Sequence, residues 1–446
     1  MKTPVVIVGG GPAGCASAMF LKRQGIESTI VERMPFPRYH IGESLTGECG
    51  VHIRDLGLED EMNKRKFLVK RGAYMYGASS DYKWRVPVAW RDKDWKINPG
   101  TTWQVVRADF DKLMLETAIS RGANFIRGEA IGPLVADDGA VRGLSIKDAG
   151  GKVFDIESEI VLDCSGQSTF LANAGIAGPK FNGNYDRQMA VFSQVENTIR
   201  DDDDIVVFFK TKYHWAWFIP LSKDVVSVGV VAPAAYFKEK KESKPDYLVR
   251  ELRELNPQLA RLIPEVRLVE GVRSIPNYSY QIRSFSGKGF ICVGDSHRFI
   301  DPIFSFGVCI SLCEAKAVAA TVAGYLAGDN RDDDNPFAAH ALSVERGIDV
   351  VEDTIDFFWE RPFSFAGMVS NRLDEMTDIF AGRLWERQPS AALTQMRQTL
   401  SRVRNYRSGN ETSVPAGSRF HPERASLWEQ GDPRAGIDVA GDLIAE

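Results

Sequence analysis

The chain has 446 residues, 44% of them hydrophobic and 26% charged, which is enough apolar matter for a large core and enough length for two sub-domains sharing one site. Its net charge of −5 argues against nucleic acid or an anionic membrane surface as the main partner. No apolar run of roughly 18 residues or more occurs, so no membrane span is expected. The six cysteines are scattered and include no C-x-x-C, which fits a reducing cytoplasm. Cys309 and Cys313 lie one helical turn apart and read as core packing rather than as metal ligands.

Val5–Val8 is a short buried-type strand. It runs into Gly9-Gly10-Gly11-Pro12-Ala13-Gly14, an Ala-rich helix to about Gln24, and a second strand, 28–32, that ends in Glu32. This is G-x-G-x-x-G inside a β-α-β unit. Glycines at 9, 11 and 14 permit a tight turn and let backbone N–H groups approach a pyrophosphate. Pro12 and Ala13 open the helix. Glu32, eighteen residues after Gly14, is placed to accept from ribose hydroxyls, and Arg33 follows it. The pattern serves FAD and NAD alike.

Gly42-Glu43-Ser44 leads a loop into helices that run to about Lys66. A strand over 67–73 must send Lys70 and Arg71 to opposite faces, so one of them faces inward unless the lysine lies at a strand end and reaches solvent. Trp84, Trp90, Trp95 and Trp103 fall in one polar stretch and read as hairpin packing, with a pocket wall as the alternative. Arg107 opens a helix to about Arg121, free either to contact a flavin or to pair with Asp111 one turn on. Strands are expected at 124–126, 129–136, 141–147 and 152–156, then at 160–163, where Asp163 would come near the phosphates. The acid run Asp201–Asp204 reads as a solvated turn.

A β-rich region, 186–233, contains His214-Trp215-Ala216-Trp217-Phe218-Ile219-Pro220. Trp215, Trp217 and Ile219 alternate and share a face; His214 points away from it and reads as structural. Two charged helices are expected in 236–264 and two strands near 265–283. Gly294-Asp295 ends a further strand, with Asp295 suited to a ribityl hydroxyl. Pro302, Ser305, Phe306 and Gly307 then lead into a helix to about Leu326, whose free N–H groups suit the flavin pyrimidine edge or an anion. Paired with 9–14, this second glycine element points to FAD. The chain is helical and aromatic from 336, and polar after Asn405.

These residues together resemble the flavin-dependent halogenases, over roughly residues 1–385. The specific part is W-x-W-x-I-P at 215–220 together with a lysine at 70; the glycine motifs are shared with many flavin monooxygenases. The resemblance implies an α/β fold: an FAD-binding Rossmann-like domain of the flavin monooxygenase type (1–75, 104–180 and 285–330), a β-sheet substrate domain (76–103 and 181–284), a helical C-terminal region (331–404) and a polar tail (405–446). It implies FADH2 supplied by a separate NAD(P)H-dependent flavin reductase, O2, and chloride or bromide as co-substrate. A flavin hydroperoxide opened by halide would give a hypohalous species that Lys70 carries or hydrogen-bonds. Trp215, Trp217, Ile219 and Pro220 would separate flavin from substrate, and Ser305, Phe306 and Gly307 would hold the halide.

Two departures bear on the substrate. Phe304 stands where family members that act on free tryptophan carry Glu, which favours a phenol- or pyrrole-type ring, free or tethered to an acyl or peptidyl carrier protein. Phe306 stands where many relatives have a small residue; its bulk either narrows the halide pocket or packs. Two other readings use the same residues: an FAD-dependent aromatic hydroxylase, which leaves Lys70 and the tryptophans without a role, and a non-catalytic flavin-binding partner protein.

Overall fold

The structure is a computed structural model and describes residues 1–78, 83–92, 94–385 and 390–408. Five strands run parallel in the order Asn124–Val135, Ser28–Glu32, Lys2–Val8, Val153–Asp163, Phe290–Cys292. The inner strands are apolar almost throughout because helices cover the sheet: Val5, Val6 and Ile7 are fully buried. Pro12–Arg23 and Gly307–Ala327 pack on one another here. Gly307–Ala327 has the length and hydropathy of a membrane span, yet 56% of that window is buried inside the protein, as in a core helix.

Two expectations for the strands are corrected. The expected pair at 124–126 and 129–136 is the single strand Asn124–Val135, and the pair at 152–156 and 160–163 is Val153–Asp163. Each serves two pairings. Its inner half joins the parallel sheet, and its outer half pairs antiparallel with Val141–Asp148. Glu157-Ser158-Glu159 marks the crossing from meander to buried sheet, and Gly128 the change of partner in Asn124–Val135; neither breaks its strand.

A second, eight-stranded sheet is built around Gln188–Glu196, Val226–Pro233, His214–Pro220, Ile205–Thr211 and Gly72–Tyr76, neighbours in that order. Leu68–Lys70 belongs to neither large sheet: it pairs with Thr102–Gln104, so the expected strand over 67–73 breaks at Arg71. The region 236–264 holds three helices, Ala234–Lys240, Lys244–Glu254 and Pro257–Leu262, because Ser243 and Asn256 each cap a helix with Pro in its first turn. Three short strands, Arg267–Leu268, Arg273–Pro276 and Tyr280–Ile282, replace the two expected near 265–283.

Asp204 is also corrected. It is 4% exposed and accepts from the backbone N–H of Arg71 (2.5 Å) and Gly72 (2.8 Å) and from Arg85 (3.0 Å). It therefore pins the strand break that follows Lys70. The C-terminal helices Ala338–Glu360, Pro362–Asn371 and Leu373–Ala381 close one side of the molecule. The helix Ala391–Ser408 follows, and the expected tail from 409 on lies outside the described residues.

Candidate active site

A cavity of about 700 Å³ opens between the two sheets. Gly9, Gly11, Pro12, Ala13, Glu32 and Arg33 line one end; Trp215, Trp217, Ile219, Pro302, Ser305, Phe306 and Gly307 line the other. Gly11 leaves the turn open, since a Cβ there would meet only the Arg38 guanidinium, at 3.6 Å. Gly14 does not line the cavity: a Cβ there would lie 2.0 Å from the carbonyl oxygen of Gly9, so it lets helix and turn pack closely. Glu32 accepts from the N–H of Gly10 (2.8 Å) and of Met34 (2.7 Å), and each oxygen keeps a lone pair for a ribose hydroxyl. An elongated dinucleotide fits this cavity: a glycine turn free of side chains, a helix N-terminus and an acid lie at one end, and a broad apolar chamber at the other.

Gly42, Glu43, Ser44, Arg107 and Asp295 line the middle. Arg107 pairs with Asp111 through Nε (2.8 Å) and Nη2 (3.1 Å), and its Nη1 donates to the carbonyl oxygens of Ile41 and Gly42. It holds the loop that carries Glu43 and still faces the cavity. Burial pushes Glu43 up to about 7, against hydrogen bonds from Ser227 and Gln194 that lower it. Burial pushes Asp295 up to about 6, with Arg107 opposing. Asp163 does not line this cavity: its oxygens accept from Ser165 N–H (3.0 Å) and Leu171 N–H (2.8 Å), which fixes the turn after its strand. Gly294 is likewise outside it, with φ +67 and its N–H on Glu314 at 2.6 Å. Arg38 and Arg298 line the cavity and were not singled out in the sequence; Arg38 pairs with buried Asp111 at 3.2 Å, and nothing local to its Pro-rich loop signals that.

Trp215, Trp217 and Ile219 share one face of His214–Pro220, as alternation requires, while Ala216 and Phe218 pack on the other. The indole centroids are 5.9 Å apart, and Pro220 ends the strand. His214 bonds Glu251 at 2.9 Å on the far side.

Lys70 opens into a second, smaller cavity of about 40 Å³ with Thr46, Gly47, Val88, Phe304 and Phe380 among its walls. Ile205, Ile303 and Ser305 line both cavities and form the partition. Lys70 is 6% exposed, and its Nζ donates to Ser44 Oγ (2.9 Å) and the Leu45 carbonyl (2.8 Å). Two of its three donor directions are fixed, and burial lowers its pKa to about 8 against the pull of Asp204. Arg71 is the outward member of the pair. Ser305 takes φ 62 just before the helix Gly307–Ala327, and Asp301 caps the preceding turn by accepting from Ile303 N–H at 2.9 Å. The Phe304 ring lies parallel to Phe365 (6.1 Å between centroids) and edge-on to Phe380 (5.0 Å). Phe306 packs edge-on against Phe304 while lining the larger cavity. Of the four clustered tryptophans, Trp84 packs on Phe365, Trp103 lies under Arg54, and Trp90 and Trp95 are exposed on a small hairpin.

A family model described as an FAD binding domain matches residues 2–334. A 1H-pyrrole-2-carbonyl-[peptidyl-carrier protein] brominase of Pseudoalteromonas luteoviolacea is 32% identical over 384 residues, covering 85% of this chain and 91% of its own. The chain belongs to the flavin-dependent halogenases. It is an oxidoreductase that uses FAD with O2 and halide. A 1H-pyrrole-2-carbonyl-[peptidyl-carrier protein] chlorinase of Pseudomonas fluorescens is 25% identical, covering 90% of this chain and 93% of its own. The solved structure of the flavin-dependent brominase Bmp2 superposes with a TM-score of 0.85 at 30% identity, covering 91% of this chain and all of that one. In this halogenase, among the described residues, no group of three or more His, Cys, Asp or Glu is placed to hold a metal.

Proposed function

We propose that the chain halogenates a pyrrole-type ring delivered on a carrier protein, with Lys70 handing over the halogen. The observation that carries this reading is the buried, doubly anchored ammonium of Lys70, set in a small apolar cavity partitioned from the FAD cavity. Among the described residues no carboxylate lines that cavity, so it suits a ring that is electron-rich without an acid partner. The relatives that act on pyrrolyl groups of carrier proteins support the choice.

When bound, reduced FAD with O2 supplies the oxidising power that turns halide into a hypohalous acid. The protein does the rest. Backbone donors at Phe306 and Gly307 hold halide at the helix start. The Trp215–Trp217 face keeps organic molecules off the flavin side. The neutral Lys70 amine takes the halogen from hypohalous acid, releasing water. The haloamine then gives it to a ring carbon, and the ring proton leaves as the N–H is restored. Reduced FAD would come from a separate NAD(P)H-dependent flavin reductase, as the resemblance to the family implies.

The test is single turnover of the anaerobically reduced FAD complex with O2, with and without bromide, on pyrrolyl-carrier protein. Bromine in the product, absent from Lys70→Ala, is the expected result; a product that gains only oxygen would refute it.

A further inference from the structure

We propose that Cys49 and Cys309 form an oxidation site for hypohalous acid that finds no substrate, closing to a disulfide behind the Lys70 cavity. Thr46 lines that cavity, and its hydroxyl contacts Cys49 Sγ at 3.6 Å. Cys49 is one turn further along Gly47–Asp55, a helix packed on the one that carries Cys309, and Thr46 Oγ1 and Cys309 Sγ lie 3.2 and 2.4 Å from the same point, where a Gly382 Cβ would be. Cys309 comes from the facing helix Gly307–Ala327, with Cys313 4.0 Å beyond it. On the other wall, Ala381 lines the cavity, and Gly382 leaves Cys309 Sγ its place: a Cβ there would be 2.4 Å from the sulfur. Both thiols are fully buried, so bulky reagents from solvent are excluded, whereas a two-heavy-atom oxidant made inside the protein starts one side chain away.

The chemistry balances with what the enzyme makes. Cys49 thiol and hypobromous acid give a sulfenyl bromide and water; the Cys309 thiol displaces bromide, forming the S–S bond and releasing HBr. Two thiols lose two electrons, and the halogen returns to bromide. The ladder stops at a reducible disulfide because a second thiol stands on the facing helix. The inference rests on the hypohalous chemistry of the proposed function, and its test separates the two.

The FAD holoenzyme is turned over with O2 and bromide without carrier substrate, in the presence of a phenol trap, then quenched with methionine, denatured, alkylated and digested without reductant. The expected result is loss of two of the six alkylatable thiols, a Cys49–Cys309 linked peptide, and activity that falls in the same proportion and returns with dithiothreitol. Omitting bromide should leave all six thiols free. In Cys309→Ser, water displaces bromide from the Cys49 sulfenyl bromide to give HBr and a sulfenic acid, which dimedone added with the denaturant after the quench should label. A brominated trap with all six thiols still alkylatable overturns the inference, as does equal oxidation without bromide. An unbrominated trap counts against the Lys70 reading instead. One equivalent of hypobromous acid added to the holoenzyme then decides the thiol pair alone: the linked peptide supports it, and free thiols at 49 and 309 overturn it.

Discussion

The indole nitrogen of Trp217 donates to the hydroxyl of Ser227 at 3.2 Å, and that same hydroxyl meets the carboxyl of Glu43. One side chain thus ties the separating face of the sheet to the loop beside the flavin cavity. Gly229, opposite Trp217 in register, makes room for the indole: a Cβ there would lie 2.2 Å from Cζ2. Gly229→Ala should push the indole aside while leaving the FAD end intact. The expected outcome is unchanged FAD affinity with a larger share of reducing equivalents lost as hydrogen peroxide, read by peroxide yield per product formed. An unchanged ratio would remove the separating role from Trp217.

Removing the hydroxyl tests the same link from its other end. Ser227→Ala leaves a buried indole N–H unpaired and takes a donor from Glu43. A loss of about 1–3 kcal/mol in chemical denaturation is expected, together with a Glu43 pKa moved further up, read by infrared titration of the carboxyl.

Lys70 carries a burial cost as well as chemistry. Its folded pKa of about 8 lies below the unfolded value, so the folded state gives up the proton first and the charged form is the destabilised one. Lys70→Met should abolish halogenation yet raise stability by roughly 3 kcal/mol at neutral pH. The gain should be full below pH 8 and fade as pH approaches the unfolded value. With the neutral amine as halogen acceptor, wild-type rate should rise with pH through about 8, and Lys70→Arg should not restore it.

Asp301 sits under the turn that presents Ser305, and burial raises it to about 7. A raised acid holds its proton longer when folded, so its ionisation weakens the fold as pH climbs from about 4 to 7. Asp301→Asn keeps an acceptor for Ile303 N–H and a partner for Tyr278. It should stabilise the protein by up to about 4 kcal/mol above pH 7 and not at pH 4, read from urea midpoints.

Glu32 spends both oxygens on backbone N–H groups of the glycine turn and of Met34. Glu32→Ala should lower FAD affinity by about 10- to 100-fold, the equivalent of one or two lost hydrogen bonds, measured by flavin fluorescence quenching. Equal affinity would displace the acid from the cofactor's ribose.

What was legible in the sequence followed local rules. The glycine turn with its flanking strands, the shared face of Trp215 and Trp217 and the helix after Phe306 each depend on periodicity or turn chemistry within a few residues. Misreadings arose where a residue's partner is distant. Asp204 looks like part of a solvated acid run because its N–H partners lie some 130 residues earlier. Asp163 ends its strand as the sequence suggests, and its oxygens accept from the N–H groups of Ser165 and Leu171, two and eight residues on. Strand 153–163 reads as a pair because 160–163 is buried and most of 153–157 is not, and 124–135 because it changes partner near Gly128. Apart from Phe304, the wall of the Lys70 cavity gave no signal either, since Val88, Ile205 and Phe380 are ordinary core residues until the fold brings them together.

The FAD-type match ends at residue 334, whereas Phe380 and Ala381, beyond it, wall the lysine cavity and Phe365 backs Phe304. The same region lends Ile348 and Val351 to the larger cavity, so both chambers are closed by residues from outside the nucleotide-binding stretch. Exchanging only 362–381 between relatives would alter one wall of the lysine cavity while leaving the lining of the larger cavity untouched. A lineage of such enzymes could remodel that one wall by editing two helices while the rest of the chamber, from Thr46 to Ser305, stays fixed.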